Sequence, residues 1–254
     1  MHFRDTEQHF SGLACNYAAA RPSYAEALIE DLYTVHGFSP ASVIADVGSG
    51  TGKFAEQLLR RGSTVWCVEP NEDMRIQAER SLSAFPNGSV VKGSDRDTRL
   101  PSDSVDFVTA AQAFHWFDRA AFAAECRRIL KPQGRILLAW NFRDACAPVH
   151  MELAEIYRRF CPQFCGFTMG FQEDDTALRE FFSDGFRKLA YENPRGYTRE
   201  QFITRGLSNS YALRPDAAEY PALREALGGL FDRYAVNGLL EAPNRTVGYL
   251  GSLR

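Results

Sequence analysis

The sequence predicts an α/β fold, a doubly wound and mostly parallel sheet carrying a helical lobe, on three observations. Short apolar runs that read as buried strands alternate with helical spacings from residue 42 to residue 142. The first of these runs passes through alternating glycines directly into a helix. Finally, Asp46, Gly48, Glu69, Asp95, Gln112 and His115 all fall at or after the carboxyl ends of strands, where open parallel sheets bind their ligands.

The central stretch is SVIADVGSGTGKF, residues 42–54. Val43, Ile44, Ala45 and Val47 form the strand, and Asp46 interrupts it near its end. Gly48, Gly50 and Gly52 alternate through a tight turn, and Phe54, Ala55, Leu58 and Leu59 then repeat at helical spacing. Glycines permit positive φ and close backbone approach, and a helix N-terminus offers unpaired N–H groups, so the pattern suits a cofactor cradle. A phosphate-binding loop is excluded. It needs four residues between its first glycine and Gly-Lys, followed by Ser or Thr; here three residues separate Gly48 from Gly52, and Phe54 follows Lys53. A dinucleotide fingerprint begun at Gly48 meets Lys53 where it needs glycine, and begun at Gly50 it is met only by the variant residue Ala55, late in the turn. The form that remains is D-x-G-x-G-x-G, from Asp46 to Gly52.

Taken in order, Pro22 to His36 is an expected helix with Ala25, Leu28, Ile29, Leu32 and Val35 on its apolar face. Tyr17 and Arg21, before it, read either as packing and surface residues or as an N-terminal flap over a ligand. The helix after the glycines stops at Arg61-Gly62. Thr64 to Val68 is strand two and ends in Glu69-Pro70-Asn71, placing a carboxylate about 20 residues past the turn, where two oxygens can accept from two ribose hydroxyls. Met74, on the following helix, suits either an adenine face or the core. Ser89 to Val91 is strand three, ahead of Gly93-Ser94-Asp95; Ser104 to Ala110 is strand four, leading to His115-Trp116-Phe117. Asp118 caps a helix from Arg119 to Leu130, Lys131-Pro132-Gln133-Gly134 stops it, and Arg135 to Trp140 is strand five, ending at Asn141. Beyond Arg143 the expected elements are helices over 148–160, 176–182, 198–206 and 216–237, and strands over 186–191 and 241–250.

Composition narrows the function classes. The 254 residues are 45% hydrophobic and 24% charged, with a net charge of −3. That balance lacks the basic footprint of a nucleic-acid binder and favours a small-molecule substrate. No apolar run reaches the roughly 18–20 residues of a membrane span, and the first ten residues lack the apolar core of a signal peptide, so a cytoplasmic protein with reduced cysteines is expected. Cys161 and Cys165, with Cys146 and His150 upstream, do not have the spacing of a zinc site, and no metal is expected.

VIADVGSGTG, VEP, GSDRDTRLPSDSVDFVTAAQAFHWFD and LKPQGRILLAWN together resemble the motifs of class I S-adenosylmethionine (SAM) methyltransferases. The N-terminal pattern F-x-x-x-A-x-x-Y-x-x-x-R-P-x-Y, the AFHWFD box and GLSNSY at 206–211 are similar to the methyltransferase-11-like branch that includes trans-aconitate methyltransferases. The resemblance implies a seven-stranded sheet with its last strand antiparallel. It implies one methyltransferase domain over the whole chain, divided into an N-terminal flap and helix (1–36), a SAM-binding core (38–142) and a helical substrate lobe with the last strands (143–254). It further implies SAM as cofactor and S-adenosylhomocysteine as product. Gly48, Gly50 and Gly52 would pass around the methionine part, Asp46 would support the turn or the amino group, and Glu69 would hold the ribose. Asp95 would approach the adenine edge, although relatives commonly read G-[S/T/D]-A-E where this chain reads Gly93-Ser94-Asp95-Arg96. Ser49, Pro70, Met74, Ser94 and Gln112 complete the cofactor set, and Tyr17 and Arg21 would close it.

An activated methyl donor leaves the protein chiefly to align a nucleophile and exclude water. His115 is the candidate catalytic group, as a base, as a hydrogen-bond partner of the substrate, or as packing. Trp116, Asn141, Arg205 and Arg245 are candidate substrate residues, the arginines as a clamp for an acid. The leading reading is a small-molecule methyltransferase with an oxygen acceptor. The alternatives are a methyltransferase acting on tRNA or protein, a non-catalytic SAM-binding protein and a dinucleotide oxidoreductase.

Overall fold

The computed structural model describes residues 23–167, 176–182, 184–209 and 211–253. Tyr17, Arg21 and Pro22 lie outside the described residues; the helix expected over 22–36 is shorter, beginning at Glu26 because Ser23 to Ala25 are non-helical, and α1 is Glu26–Thr34. The sequence then runs β1 (Val43–Val47), α2 (Lys53–Arg60), β2 (Thr64–Val68), α3 (Glu72–Leu82), β3 (Gly88–Val91), β4 (Val105–Ala111), a short 3-10 turn (Phe114–Trp116), α4 (Arg119–Ile129) and β5 (Leu130–Arg143). These follow the expected rhythm closely. The second half contributes α5 (Pro148–Phe160), α6 (Thr176–Phe181), β6 (Phe186–Glu192), β7 (Arg195–Tyr197), α7 (Arg199–Leu207), α8 (Tyr220–Tyr234), β8 (Leu240–Ala242) and β9 (Asn244–Gly251).

Seven strands form one sheet in the order β3-β2-β1-β4-β5-β9-β6. Pairings from β3 to β5 are parallel, and β9 is antiparallel to both of its neighbours. The fold class expected from the sequence is therefore the one observed. Alternation along the strands separates two cores. Ile44, Val65, Cys67, Leu137 and Ala139 face α1 and α2, and Ala45, Val47, Ile136, Leu138 and Trp140 face α4 and α6. A third core, built on Leu153, Tyr157, Phe202, Leu223, Leu227 and Leu230, holds α5, α7 and α8 together as the lobe.

Three more expected elements are corrected by the structure. The span 241–250 is divided at Pro243, which has no N–H for a continuing ladder; β8 turns aside to pair with β7 in a separate two-stranded sheet, and β9 alone joins the large one. Strand five is longer than 135–140. Leu130 pairs with Val105, the register shifts, and Arg135 pairs with Phe107, so Lys131 to Gly134 is an excursion within the strand; at its far end β5 continues to Arg143 opposite Asn244. The helix expected over 216–237 begins at Tyr220, with Pro221 in its first turn, and ends before Asn237, which has φ +51°. Among the described residues, no helix is long and apolar enough to cross a membrane.

Candidate functional site

The glycine turn is tied to the end of β2 by its own backbone. Gly48 and Ser49 donate to the Val68 carbonyl at 2.8 and 3.2 Å, and Gly50 donates to Oε2 of Glu69 at 2.9 Å. The other carboxylate oxygen of Glu69 accepts from the Asn71 N–H, also at 2.9 Å. The buried Glu69 carboxylate thus clamps the turn to the start of α3, with Arg75 reaching back to the Glu69 and Pro70 carbonyls at 3.1 and 2.6 Å. Asn71 caps α3 by accepting from the N–H of the buried Met74.

The three glycines serve different ends. Gly48 has φ +68°, and a Cβ there would sit 2.7 Å from Ala113 Cβ and 3.1 Å from the Phe117 ring. Gly52 has φ +80°, N-caps α2 and lies against Leu82. Gly50 also has a positive φ, +56°, but its Cβ position has no atom of the described residues within 4 Å. The turn is packed at both ends and open in the middle.

Around that opening lie two buried polar atoms without a hydrogen-bond partner among the described residues, Asp46 Oδ2 and Ser49 Oγ. The other oxygen of Asp46 accepts from Thr109 Oγ1 at 2.7 Å. Burial raises the Asp46 pKa to about 7, the Thr109 hydroxyl lowers it, and the charge of Glu69 raises it further. A buried carboxyl oxygen left unpaired is costly, and such atoms mark places where a ligand or water completes the bonding.

The AFHWFD box closes one side of the turn. Phe114 is buried against Phe122, Phe181 and Trp140, which anchors the segment, and Phe117 packs beneath Gly48. The Asp118 N–H donates to Asp95 Oδ2 at 2.9 Å, while the Asp118 side chain caps α4 and pairs with Arg96 at 3.2 Å. Asp95, its pKa raised chiefly by burial, therefore joins the loops after β3 and β4; Ser94, beside it, accepts from the Arg96 N–H at 3.3 Å. Gln112 follows β4 with φ +58°, a strained conformation for a residue with a side chain. Its N–H donates to Ala139 O and its side chain to Asn141 O. His115 is half-buried beside Trp116, with ring centroids 5.0 Å apart, and the Trp140 indole N–H points to His115 Nδ1 at 3.5 Å.

The four substrate candidates do not converge. Trp116 stays with His115. The side-chain amide of Asn141 donates to Ser23 O at 3.2 Å, and its oxygen accepts from Thr246 Oγ1 at 2.6 Å and from Asn193 at 3.2 Å, a network that also holds the Ala25 N–H through Thr246. Asn141→Ala is expected to leave these buried groups unpaired and to cost about 2 kcal/mol, lowering the melting temperature by roughly 4–8 °C for a chain of this size; an unchanged melting curve would contradict that role. Arg245 is exposed on β9. Arg205 lines a lobe cavity with Arg143, His150, Tyr157, Tyr197 and Phe202. Arg143 and His150 have no motif to single them out as site residues; the last rung of β5 and the helix α5 bring them to the cavity with Arg205.

Comparison with known proteins agrees with this geometry. Residues 45–138 match the methyltransferase domain family. An uncharacterised methyltransferase of Mycobacterium tuberculosis is 35% identical over 156 residues, 61% of each chain. An uncharacterised methyltransferase-like protein of Schizosaccharomyces pombe is 30% identical over 184 residues, 69% of this chain and 66% of that one. The chain thus spans about 61% of the length of the first of these relatives. Among solved structures, a SAM-dependent methyltransferase from Geobacter sulfurreducens in complex with S-adenosyl-L-homocysteine superposes with a TM-score of 0.53 at 16% identity, over 94% of this chain and 96% of that one. Another from Aquifex aeolicus superposes at 0.52 and 16%, over 94% and 97%. Residues 45–138 thus match the methyltransferase domain family, on a seven-stranded sheet whose fold is shared with these solved structures.

Proposed function

We propose that the protein is a SAM-dependent methyltransferase that methylates an oxygen of a small molecule. The observation that carries this reading is the open centre of the glycine turn: among the described residues Gly50 meets no atom within 4 Å, its N–H is held by Glu69, and the oxygens Asp46 Oδ2 and Ser49 Oγ are buried without a partner. These groups fit SAM. Asp46 and Ser49 would take the amino-acid end, Glu69 has lone pairs for the ribose hydroxyls, and Met74 with Asp95 would border the adenine. Pro70, Ser94 and Gln112 lie on the same loops. Bound there, SAM supplies a methyl group on a sulfonium.

The chain's own residues then have to orient the acceptor and exclude water. His115 is the polar group of the AFHWFD box. If Nδ1 accepts from Trp140, the proton of the neutral ring sits on Nε2, which makes the ring a donor toward an acceptor oxygen rather than a base. A carboxylate acceptor needs no base, and a hydroxyl would need one. The arrangement favours the hydrogen-bonding role.

The test is calorimetric titration with SAM, S-adenosylhomocysteine and NAD, repeated with Glu69→Ala. Binding of the two sulfur compounds, weakened at least tenfold in the variant (~1.4 kcal/mol), is the expected result. NAD binding in their place, or no binding at all, would overturn the reading.

A further inference from the structure

The lobe holds a small cavity lined by two arginines and mostly by apolar or aromatic residues. Arg143 leaves the end of β5, four residues past the rung that joins Ala139 to Ala111, which is about 13 Å along the strand. Its guanidinium lies over the Phe167 ring, 4.5 Å from the centroid. Arg205 enters from α7, held by a bond from Nη1 to Asn209 Oδ1 at 3.0 Å. Tyr157 lines the cavity with both arginines. Its hydroxyl donates to Gly206 O and accepts from Asn209, both at 3.0 Å, so it forms a fixed wall. Within that cavity, burial pushes the Tyr157 pKa up while the two arginine charges pull it down. His150, whose Nδ1 lies 2.8 Å from Asp144 O, has its pKa lowered by burial and by Arg143.

Among the described residues, no Asp or Glu lines the cavity, and none forms an ion pair with Arg143. Apart from His150 and Asn244, the remaining walls are apolar or aromatic. Tyr197 packs edge-on to Phe202, and Phe164, Phe167 and Tyr211 surround Tyr157. A guanidinium stacked on an aromatic ring can bind a planar carboxylate through two parallel bonds. A phosphate ester, with more charge to neutralise, would call for further cations or converging backbone N–H groups.

We infer that the cavity between Arg143 and Arg205 binds the carboxylate of an apolar or aromatic acid. Such an acid would be the substrate, held by the group remote from the accepting oxygen; that use rests on the methyltransferase reading, whereas binding itself does not.

The probes are butanoate, benzoate and 3-phenylpropanoate, with 3-phenylpropanamide and phenyl phosphate as controls, titrated by NMR saturation transfer into the full chain with and without S-adenosylhomocysteine. At least one acid is expected to bind, with 3-phenylpropanoate at least tenfold tighter than its amide and tighter than phenyl phosphate. Arg143→Met is expected to weaken acid binding at least tenfold while S-adenosylhomocysteine affinity stays within twofold. Equal binding of acid and amide, tighter binding of phenyl phosphate, no binding of any acid, or wild-type acid binding in a folded Arg143→Met protein would overturn the inference. Acid binding by a chain that does not bind S-adenosylhomocysteine would leave the cavity assigned and remove the methyltransferase reading instead.

Discussion

Alanine at Gly48 is expected to destabilise the protein by about 3–4 kcal/mol. The left-handed conformation costs an L-residue about 1–2 kcal/mol, and forcing a methyl into a packed contact adds about 1–3 kcal/mol. Both apply here, because φ is +68° and the new Cβ would lie 2.7 Å from Ala113 Cβ. Ala113 and Phe117 belong to the segment that carries His115, so relief of the clash would also displace the AFHWFD box. Gly50→Ala is the informative partner. It carries only the conformational cost, about 1–2 kcal/mol, since no atom of the described residues lies within 4 Å of its Cβ position. Its methyl would instead occupy the space assigned to the cofactor. Urea denaturation and S-adenosylhomocysteine calorimetry on the two variants separate these effects. Gly48→Ala should lose stability heavily, and Gly50→Ala should keep most of its stability and lose at least tenfold in affinity. Wild-type affinity in Gly50→Ala would mean that the turn does not cradle the ligand.

The second large effect is a pH dependence set by Asp46. Its folded pKa of about 7 lies above the unfolded carboxylate value of 3.8. The folded chain therefore holds a proton that the unfolded chain has released between those values. A raised carboxyl contributes stability that is full below pH 3.8 and lost as pH rises through 7. Three pH units at about 1.4 kcal/mol each make a swing on the order of 4 kcal/mol in the ligand-free protein. Asp46→Asn should flatten that slope and be the more stable protein at pH 8, while near pH 4 the two should agree. A ligand ammonium beside Asp46 would favour the charged form, so S-adenosylhomocysteine should bind with release of a proton below pH 7 and should itself flatten the slope. Denaturation midpoints from pH 4 to 8, with and without ligand, check both points. Parallel profiles for wild type and Asp46→Asn would show that this carboxyl does not titrate in the window.

Much of the first half of the chain was legible because its signals are local. A buried parallel strand needs an apolar run, a strand-to-helix turn with positive φ needs glycine, and a helix start needs a capping side chain such as Asn71 or Asp118. The acidic residue after β2 was legible by spacing, but its work in the ligand-free chain was not. Glu69 accepts from Gly50 and Asn71, two backbone groups that no sequence pattern connects.

The lobe was less legible, since its elements are ordered by contacts far apart in sequence. Pro243 ended one strand and began another only because Arg195 to Tyr197 lay ready to pair with the freed segment. Asn141 was grouped with substrate residues for its position at a strand end, and the structure shows its bonds to Ser23, Thr246 and Asn193. Arg143 carries no motif, yet it reaches the cavity because β5 extends past β4 along β9.

Apolar runs alternating with helical spacings, glycine placement and capping were enough by themselves to determine the doubly wound sheet, the glycine turn and the carboxylate beside it, because each depends on a few neighbouring residues and the geometry of one backbone turn. The tertiary structure alone decided which oxygens are left unpaired at Asp46 and Ser49, that Gly48 is packed while Gly50 is open, and which arginines share the lobe cavity. Those properties depend on what folds against a residue from elsewhere in the chain, and burial, charge and empty space exist only once it has done so.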